Sequence, residues 1–518
     1  MVKMMSERLS AWLERDSWVV VAVLAAFFVN LGGVPLFDLD EGFFSASTME
    51  MLQRGDFITT YVNGAPEFHK PILIYWLQAL SVSIVGLNEW GLRLPSALAA
   101  SAWVYAVLVF ARPRLARGGG VAAAVMTATA LAVMLIGRAS TADALLNLWI
   151  TLAMLDAWRH IERPQPTTLY RVYLWMGLGM LTKGPVAVAI PFVVTLFYYA
   201  SVRDVGAWLR AVFNPIGWVV FLVVAAPWYV LIYLEHGQAF IDGFFLTHNV
   251  GRFTDTMEGH GGQLYYYLVA LPFIVMPFTG PLLRAVARVG EVRQPGMERF
   301  LWLWFGFVFV VFSLSGTQLP HYMLYGTTPL LVLMARHGAG LRSRWLAFVP
   351  PLLLMTIFLF LPEIVAIAAE QERNVFIKAI LSRADEALDI GYRIGIALAL
   401  LCVLALALLR RLPPLRALLV VGVIQALAVA LVVGPAVAEV QQGPIKRAGL
   451  MARTLQEPVV MWGLDMPSFT VYRQVVTPER APQPGEVVVT RINRVERLGP
   501  HEILFNQGGI VLARVLPQ

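Results

Sequence analysis

One cysteine and few charges are what this chain of 518 residues has least of. The lone Cys402 lies in an apolar run, so no intrachain disulfide can form. Only 14% of residues are charged, against 58% hydrophobic, and mean hydropathy is +0.67. That balance excludes an ordinary soluble domain and implies an integral membrane protein. Lysine is scarce as well: five residues, so the net charge of +7 comes mostly from arginine. Neither a P-loop nor a Rossmann glycine pattern occurs, and nothing calls for a nucleotide cofactor or for nucleic acid. Ionisable residues rarely fall inside the apolar runs, which speaks against a proton or ion relay through a bilayer. No internal repeat or low-complexity segment is apparent.

What the chain does have is a series of apolar runs suited to about 30 Å of hydrocarbon. Thirteen are expected, over 17–36, 92–111, 121–137, 140–158, 170–182, 185–200, 214–234, 264–283, 300–315, 322–336, 345–361, 390–409 and 416–434. The charged N-terminus lacks a small-residue cleavage site, so the first run reads as a retained span. With that end in the cytoplasm, alternate connections carry the arginine clusters, among them Arg112, Arg114 and Arg117, then Arg336, Arg342 and Arg344. Residues 71–86 are a rival span, but counting them would move every later cluster outside, so they are expected to lie in the outer interface. Residues 42–54 read as a similar helix, with Phe44, Met51 and Leu52 on one face, Glu50 and Gln53 elsewhere, and Gly55 as its stop.

From about residue 435 the pattern changes. "PVVMWGL", "FTVYRQVV", "EVVVTRI" and "GIVLARV" read as short strands and 445–455 as a helix. The expected organisation is a transmembrane domain over 1–434, with outer interfacial helices in about 38–91, and a small extracytoplasmic α/β domain over 435–518.

The polar residues that remain gather on the face opposite the arginines. "FDLDEGFF" ends the first span with Asp38, Asp40 and Glu41; His69 and Lys70 share its loop. Arg138 and Asp143 flank a turn. Lys183 lies between two short apolar runs, and such a lysine must snorkel or meet an anion. His248 and Arg252 lie in the loop after the seventh span, and Gln318, His321 and Tyr322 between the ninth and tenth. For any one of these, ending a span is an adequate explanation; Asp40 and Asp143 in particular suit helix N-caps.

In order along the chain, "DLDEGFFSASTMEMLQRGDF", "GRASTADALL", "GLGMLTKGPVA", "PWYVLIYLEHGQAF", "FFLTHNVGRF", "FSLSGTQLPHYML" and "PSFTVYRQ" resemble the bacterial protein-mannosyltransferase and lipid A aminoarabinose-transferase group of GT-C glycosyltransferases. The resemblance implies a multi-pass protein of the bacterial inner membrane. Its N-terminus would be cytoplasmic, its active site and C-terminal domain periplasmic. It further implies inverting transfer of a sugar from polyprenyl (undecaprenyl) phosphate to a cell-envelope acceptor, lipid A or another glycolipid, with protein O-glycosylation as the alternative. A lipid or sugar transporter is the rival from another class; it calls for internal symmetry and broken helices around midplane charges, and neither is apparent in the sequence.

By the same resemblance Asp40 is the candidate base, with Asp143 and Glu41 as further catalytic acids, Glu41 being equally able to cap the helix. Lys183, Arg138, Lys70 and Arg252 are candidates for the donor phosphate, and His321, Tyr322 and Gln318 for other substrate contacts. The group commonly has a lysine where this chain has Gln318. A divalent metal, zinc by ligand type, would use His69 and His248; the competing reading is two hydrogen-bonding histidines at the substrate mouth, and two ligands fall short of a closed zinc site.

Overall fold

The computed structural model of the protein describes residues 13–251 and 263–517, and the side chains of all of these except 248–250. Each expected span coincides with a helix or a broken helix pair. Among the described residues, four helices are long and apolar enough to cross a membrane, or six when each of two bent pairs counts as one span. The helices that build the site are α1 (Asp16–Phe28), α2 (Asp40–Arg54), α3 (Leu73–Val85), α4 (Glu89–Ala111), α5 (Gly119–Thr129), α6 (Leu131–Arg138), α7 (Asp143–Glu162), α8 (Pro166–Lys183), α9 (Val186–Ser201), α10 (Pro414–Ala452) and α11 (Ser468–Arg473).

Several spans are broken: Arg344–Leu359 and Leu361–Gln371 meet at 56°, and two further breaks are bonded to each other. α5 and α6 meet at 60° across Ala130, and Tyr266–Ile274 is separated from Thr279–Val286 by a turn containing Pro277. A break frees backbone groups that lipid cannot satisfy. The Met276 carbonyl accepts from the Leu131 N–H at 2.9 Å and from Gln425 Nε2 at 3.0 Å, so one break and a polar side chain of α10 serve the other.

The loop after α1 is compact. α2 ends at Gly55, whose φ of +70° favours glycine, as the sequence implies. Residues β1 (Tyr61–Val62) and β2 (Ala65–Pro66) form a hairpin, then α3 returns along the bundle. Glu50 departs from the expected outward face. It is fully buried, and both of its carboxylate oxygens accept from the Gly64 N–H at 3.2 Å. Burial raises its pKa; the hairpin N–H and Arg54 oppose the rise.

One buried ion pair fixes this loop to the bundle. Arg93, near the start of α4, donates Nε and one Nη to the two oxygens of Glu41 at 2.8 and 2.6 Å. Its other N–H groups meet the carbonyls of Leu31 at 2.9 Å, Val34 at 2.6 Å and Pro35 at 2.8 Å. All five guanidinium donors are thereby used. Glu41 also accepts from the backbone of Phe37 at 2.9 Å and Ser140 at 2.7 Å.

The carboxy-terminal unit holds a sheet in the order β3-β4-β6-β5, built from β3 (Val459–Met461), β4 (Val487–Arg491), β5 (His501–Gln507) and β6 (Ile510–Val515). β3 and β4 are parallel; the other pairs are antiparallel. Val459, Met461, Val487, Val489, Ile510 and Leu512 face Ile445, Ala448 and Ala452 of α10 and Phe469 of α11. The expected boundary at 434/435 falls within α10, which runs from the last span into this core. "FTVYRQVV" is not a strand: its first five residues lie in helix α11. Its β-branched and aromatic residues mimic strand alternation because both faces are buried, Phe469 against the sheet and Val471 and Tyr472 against the first loop.

Replacing Arg93 by Met leaves the Glu41 carboxylate buried without its cation. The variant should lose about 3–5 kcal/mol, read as a lowered melting temperature in detergent. Unaltered melting would refute the anchoring role.

Candidate functional site

Asp143 opens α7 and Lys183 closes α8, and the two meet at 2.5 Å between Nζ and Oδ1. Asp143 is not the cap the sequence suggests: no side-chain cap bond is made at that helix start, and the carboxylate turns to the lysine instead. Lys183 is aimed by the turn behind it. Gly184 takes a φ of +97°, which glycine adopts without strain, and Pro185 precedes α9.

Pro320–Gly326 is a 3-10 helix, in which residues three apart eclipse. Tyr322 and Tyr325 accordingly stack at 6.2 Å, and Lys183 Nζ lies 5.6 and 5.8 Å from their ring centroids. Tyr325, which sequence reasoning passed over, approaches Asp143 Oδ1 at 3.5 Å; its three-residue spacing from Tyr322 was the available signal. His321 Nε2 is 3.9 Å from the same oxygen. Burial pushes the His321 pKa down to about 4, and the charges of Asp143, Lys183, Asp40 and Lys70 all act on it. The start of α7, the end of α8 and the 3-10 helix therefore meet at Asp143.

Asp40 is the first residue of α2, exposed, and no side-chain cap bond is made there either. It lines a cavity of ≈ 540 Å³ with Asp38, Arg138, Leu135, Val429 and Val433. Arg138 donates to the carbonyls of Ala26 at 3.0 Å and Val29 at 2.8 Å, which leaves further N–H groups of the fork on the cavity side. A buried polar chain sets the distance between the two acids' helices: Thr48 of α2 donates to Gln78 of α3 at 2.7 Å, and Gln78 donates to Ser140, just before α7, at 2.8 Å.

Other candidates have different surroundings. Glu41 is enclosed by Arg93 and two backbone N–H groups. Gln318 is buried and donates to the Ser313 carbonyl at 2.9 Å. Tyr267 is buried and donates to the Leu319 carbonyl at 2.8 Å, bracing the turn before His321. Lys70 Nζ donates to the His69 carbonyl at 3.2 Å, and His69 Nδ1 contacts Glu67. Arg252 lies outside the described residues, as does the side chain of His248. Among the described residues, the one group of three metal-type ligands within 4.8 Å is Glu291, Glu298 and His337, in arginine-bearing connections; Glu298 already bonds His337 at 2.6 Å and Arg336 at 3.2 Å.

A multi-span helical bundle with an acidic first loop and a small α/β domain at its carboxy end has the GT-C fold. It superposes on the crystal structure of ArnT from Cupriavidus metallidurans bound to undecaprenyl phosphate with a TM-score of 0.78, at 20% identity, over 96% of this chain and 98% of that one. The apo structure gives 0.77. Residues 69–231 match the dolichyl-phosphate-mannose-protein mannosyltransferase family. The undecaprenyl phosphate-alpha-4-amino-4-deoxy-L-arabinose arabinosyl transferase of Photorhabdus laumondii is 29% identical over 335 residues, 61% of this chain and 59% of that protein. Its counterpart in Serratia proteamaculans is 28% identical over 347 residues, 64% of this chain and 61% of the relative. The chain thus spans about three fifths of the length of these curated relatives. The likeness to the protein-mannosyltransferase and aminoarabinose-transferase group, read first from motifs, holds in sequence and in fold.

His321 has its pKa lowered from 6.5 to about 4 in the fold. The unfolded chain therefore takes up the proton first as pH falls, and stability drops between these values. Melting temperature in detergent should fall over that window, and by less in His321→Gln. An equal fall in both proteins would refute the assignment.

Proposed function

We propose that this chain is an inverting glycosyltransferase that moves a sugar from polyprenyl phosphate to a cell-envelope acceptor, lipid A or another glycolipid. The reaction would occur on the periplasmic side of the bacterial inner membrane. The observation that carries the reading is the meeting at Asp143 of Lys183, Tyr325 and His321. Two acids in unlike settings suit unlike tasks. Asp143 is neutralised by Lys183 and holds that ammonium beside two tyrosines; Asp40 is exposed and serves as the base. Undecaprenyl phosphate in the ArnT crystal structure and the names of the curated relatives support a polyprenyl donor.

In the proposed step the acceptor hydroxyl oxygen attacks the anomeric carbon and yields its proton to Asp40. The bond from that carbon to the phosphate oxygen breaks, and the electron pair leaves with polyprenyl phosphate. Lys183, Lys70 and Arg138 stabilise the charge that develops on the leaving phosphate. Arg252 is retained as a fourth candidate, and Tyr322 and His321 form the wall beside the sugar. Glu41 acts through Arg93 as an anchor, and Gln318 as a brace of its turn. The sugar–phosphate bond of the donor is already activated, because phosphate is a stable leaving group, so the step calls for no nucleotide.

A zinc ion at His69 and His248 does not enter this step. The described donors at that mouth are His69 and Glu67, which contact each other, and they fall short of the about four ligands zinc takes. Elemental analysis before and after His69→Ala and His248→Ala tests the metal; a loss of zinc in both would restore it.

The match to protein mannosyltransferases over residues 69–231 keeps a protein acceptor as the second reading. Mass spectrometry of envelope glycolipids and proteins from a deletion strain separates the two by which fraction loses a glycosyl mass. With undecaprenyl-phosphate-linked sugar, Asp40→Asn should lower kcat by about 10²–10⁴, whereas Lys183→Ala should lower kcat and raise the donor KM together. Wild-type transfer rates in both variants would end this assignment.

A further inference from the structure

The first loop touches the carboxy-terminal unit at one place that the proposed reaction does not use. Asp38, two residues before Asp40, accepts from the Ser468 backbone N–H at 3.0 Å and from the Ser468 hydroxyl. Ser468 begins α11, and all six residues of that helix are buried. Further along, Tyr472 accepts from the Leu36 N–H at 2.7 Å and donates to Glu89 at 3.1 Å. Thr470 donates to Asn63 at 3.3 Å, and Gln53 of α2 donates to the Gln474 carbonyl at 3.0 Å. α11 is thus bonded to the segment before α2, to the hairpin after it and to the end of α2 itself.

Two glycines make the approach sterically feasible. A Cβ on Gly42 would stand 1.8 Å from Asp38 Oδ1 and 2.8 Å from the Ser468 nitrogen. A Cβ on Gly449 of α10 would stand 2.7 Å from Tyr472 Cβ. Both distances are closer than non-bonded atoms tolerate, so these positions reserve the space in which α11 lies between α10 and α2. Asp38 also lines two cavities, the ≈ 540 Å³ one shared with Asp40 and an ≈ 550 Å³ one that includes Asp465, Met466 and Arg491 of the carboxy-terminal unit.

We propose that the carboxy-terminal unit is part of the catalytic apparatus: α11 clamps the turn that carries Asp40, and Asp38 and Ser468 are its positioning residues. The inference rests on the transferase reading for its kinetic consequence but not for its structural one. Removing the Ser468 hydroxyl leaves the Tyr472, Thr470 and Gln474 contacts in place, so the unit stays docked while the Asp40 turn loosens. A misplacement of about 1 Å at a reacting group costs on the order of 10²-fold in rate; losing one of the clamp's bonds should cost roughly tenfold.

The test uses the full chain in detergent. In Ser468→Ala, amide hydrogen exchange over residues 36–44 should quicken about tenfold, with exchange in the sheet unaltered; Ser468→Thr, which keeps the hydroxyl, should restore protection. Gly42→Ala should loosen the same segment without removing a polar group. Arg480→Ala, which breaks an exposed pair with Glu486 elsewhere in the unit, should leave it protected. With undecaprenyl-phosphate-linked sugar, kcat of Ser468→Ala should fall about tenfold at unchanged donor KM. Unaltered exchange in both Ser468→Ala and Gly42→Ala overturns the clamp. Faster exchange with unaltered kcat overturns the positioning role. Absence of transfer in the wild type counts against the transferase reading alone, since the exchange measurement still reads the clamp.

Discussion

The pairing of Arg93 with Glu41 is the constraint on which the site depends. Both side chains are buried at the end of the bundle, and a charge there persists only when its partner and its remaining hydrogen bonds are supplied. Here the supply is complete. The guanidinium closes the carbonyls of residues 31, 34 and 35, where α1 has ended and the backbone has no helical partner. The carboxylate takes the N–H groups of Phe37 and Ser140. One ion pair therefore joins the end of the first span, the start of α2, the start of α4 and the turn before α7. Asp40 is the neighbour of one end of that knot, and Asp143 lies three residues beyond the other.

From that knot the remaining order follows by contact. The Thr48–Gln78–Ser140 chain fixes α2 and α3 against α7, and α7 presents Asp143 to Lys183 across the end of α8. The 3-10 turn supplies a wall of two tyrosines and one histidine. In the proposed reaction this separates duties that could not be met by identical acids: one carboxylate is spent in holding a cation, the other remains available to take a proton. The carboxy-terminal unit packs on the first loop through α11, so the helix that links it to the last span also links the bundle to the turn that carries Asp40.

Much of this was legible in the sequence because hydrophobicity and charge sort strongly at a membrane edge. The apolar runs mark the helices, and polar residues confined to one set of connections mark the site. Asp143, Lys183 and His321 could be grouped on that basis, although nothing local says that they touch. Arg93 was missed because it reads as the ordinary charged start of a span, and Glu89, four residues before it in "NEWGLRLPSAL", offers a local partner; its pairing with Glu41 instead depends on a contact distant in sequence. "FTVYRQVV" misled for a different reason: period-two alternation measures burial on two faces, and a short helix wedged between a sheet and a loop buries two faces as well. The burial of Glu50 likewise depends on a hairpin N–H outside its own helix, which periodicity cannot reveal.

The sequence also gave no hint of broken helices, and their presence bears on the choice between an enzyme and a transporter. Transporter breaks gather around midplane charges and coordinate cargo with freed backbone. At the two breaks that are bonded to each other the adjacent residues are Ala130, Leu131, Met276 and Pro277; at a third, between Leu359 and Leu361, the neighbouring charge is Glu363, which is paired with Arg393 at 2.7 Å. The freed Met276 carbonyl is consumed by Leu131 and Gln425, so it is closed to cargo. The consequence of the first break is steric: it turns α6 so that Leu131, Leu135, Ile136 and Arg138 line one side of the cavity that also holds Asp40. An apolar wall ending in a guanidinium beside an exposed carboxylate suits a lipid chain with a phosphate head placed next to a base. The first break thereby puts an apolar wall and a guanidinium on one side of this cavity, where the proposed reaction would place the lipid chain and phosphate of its donor.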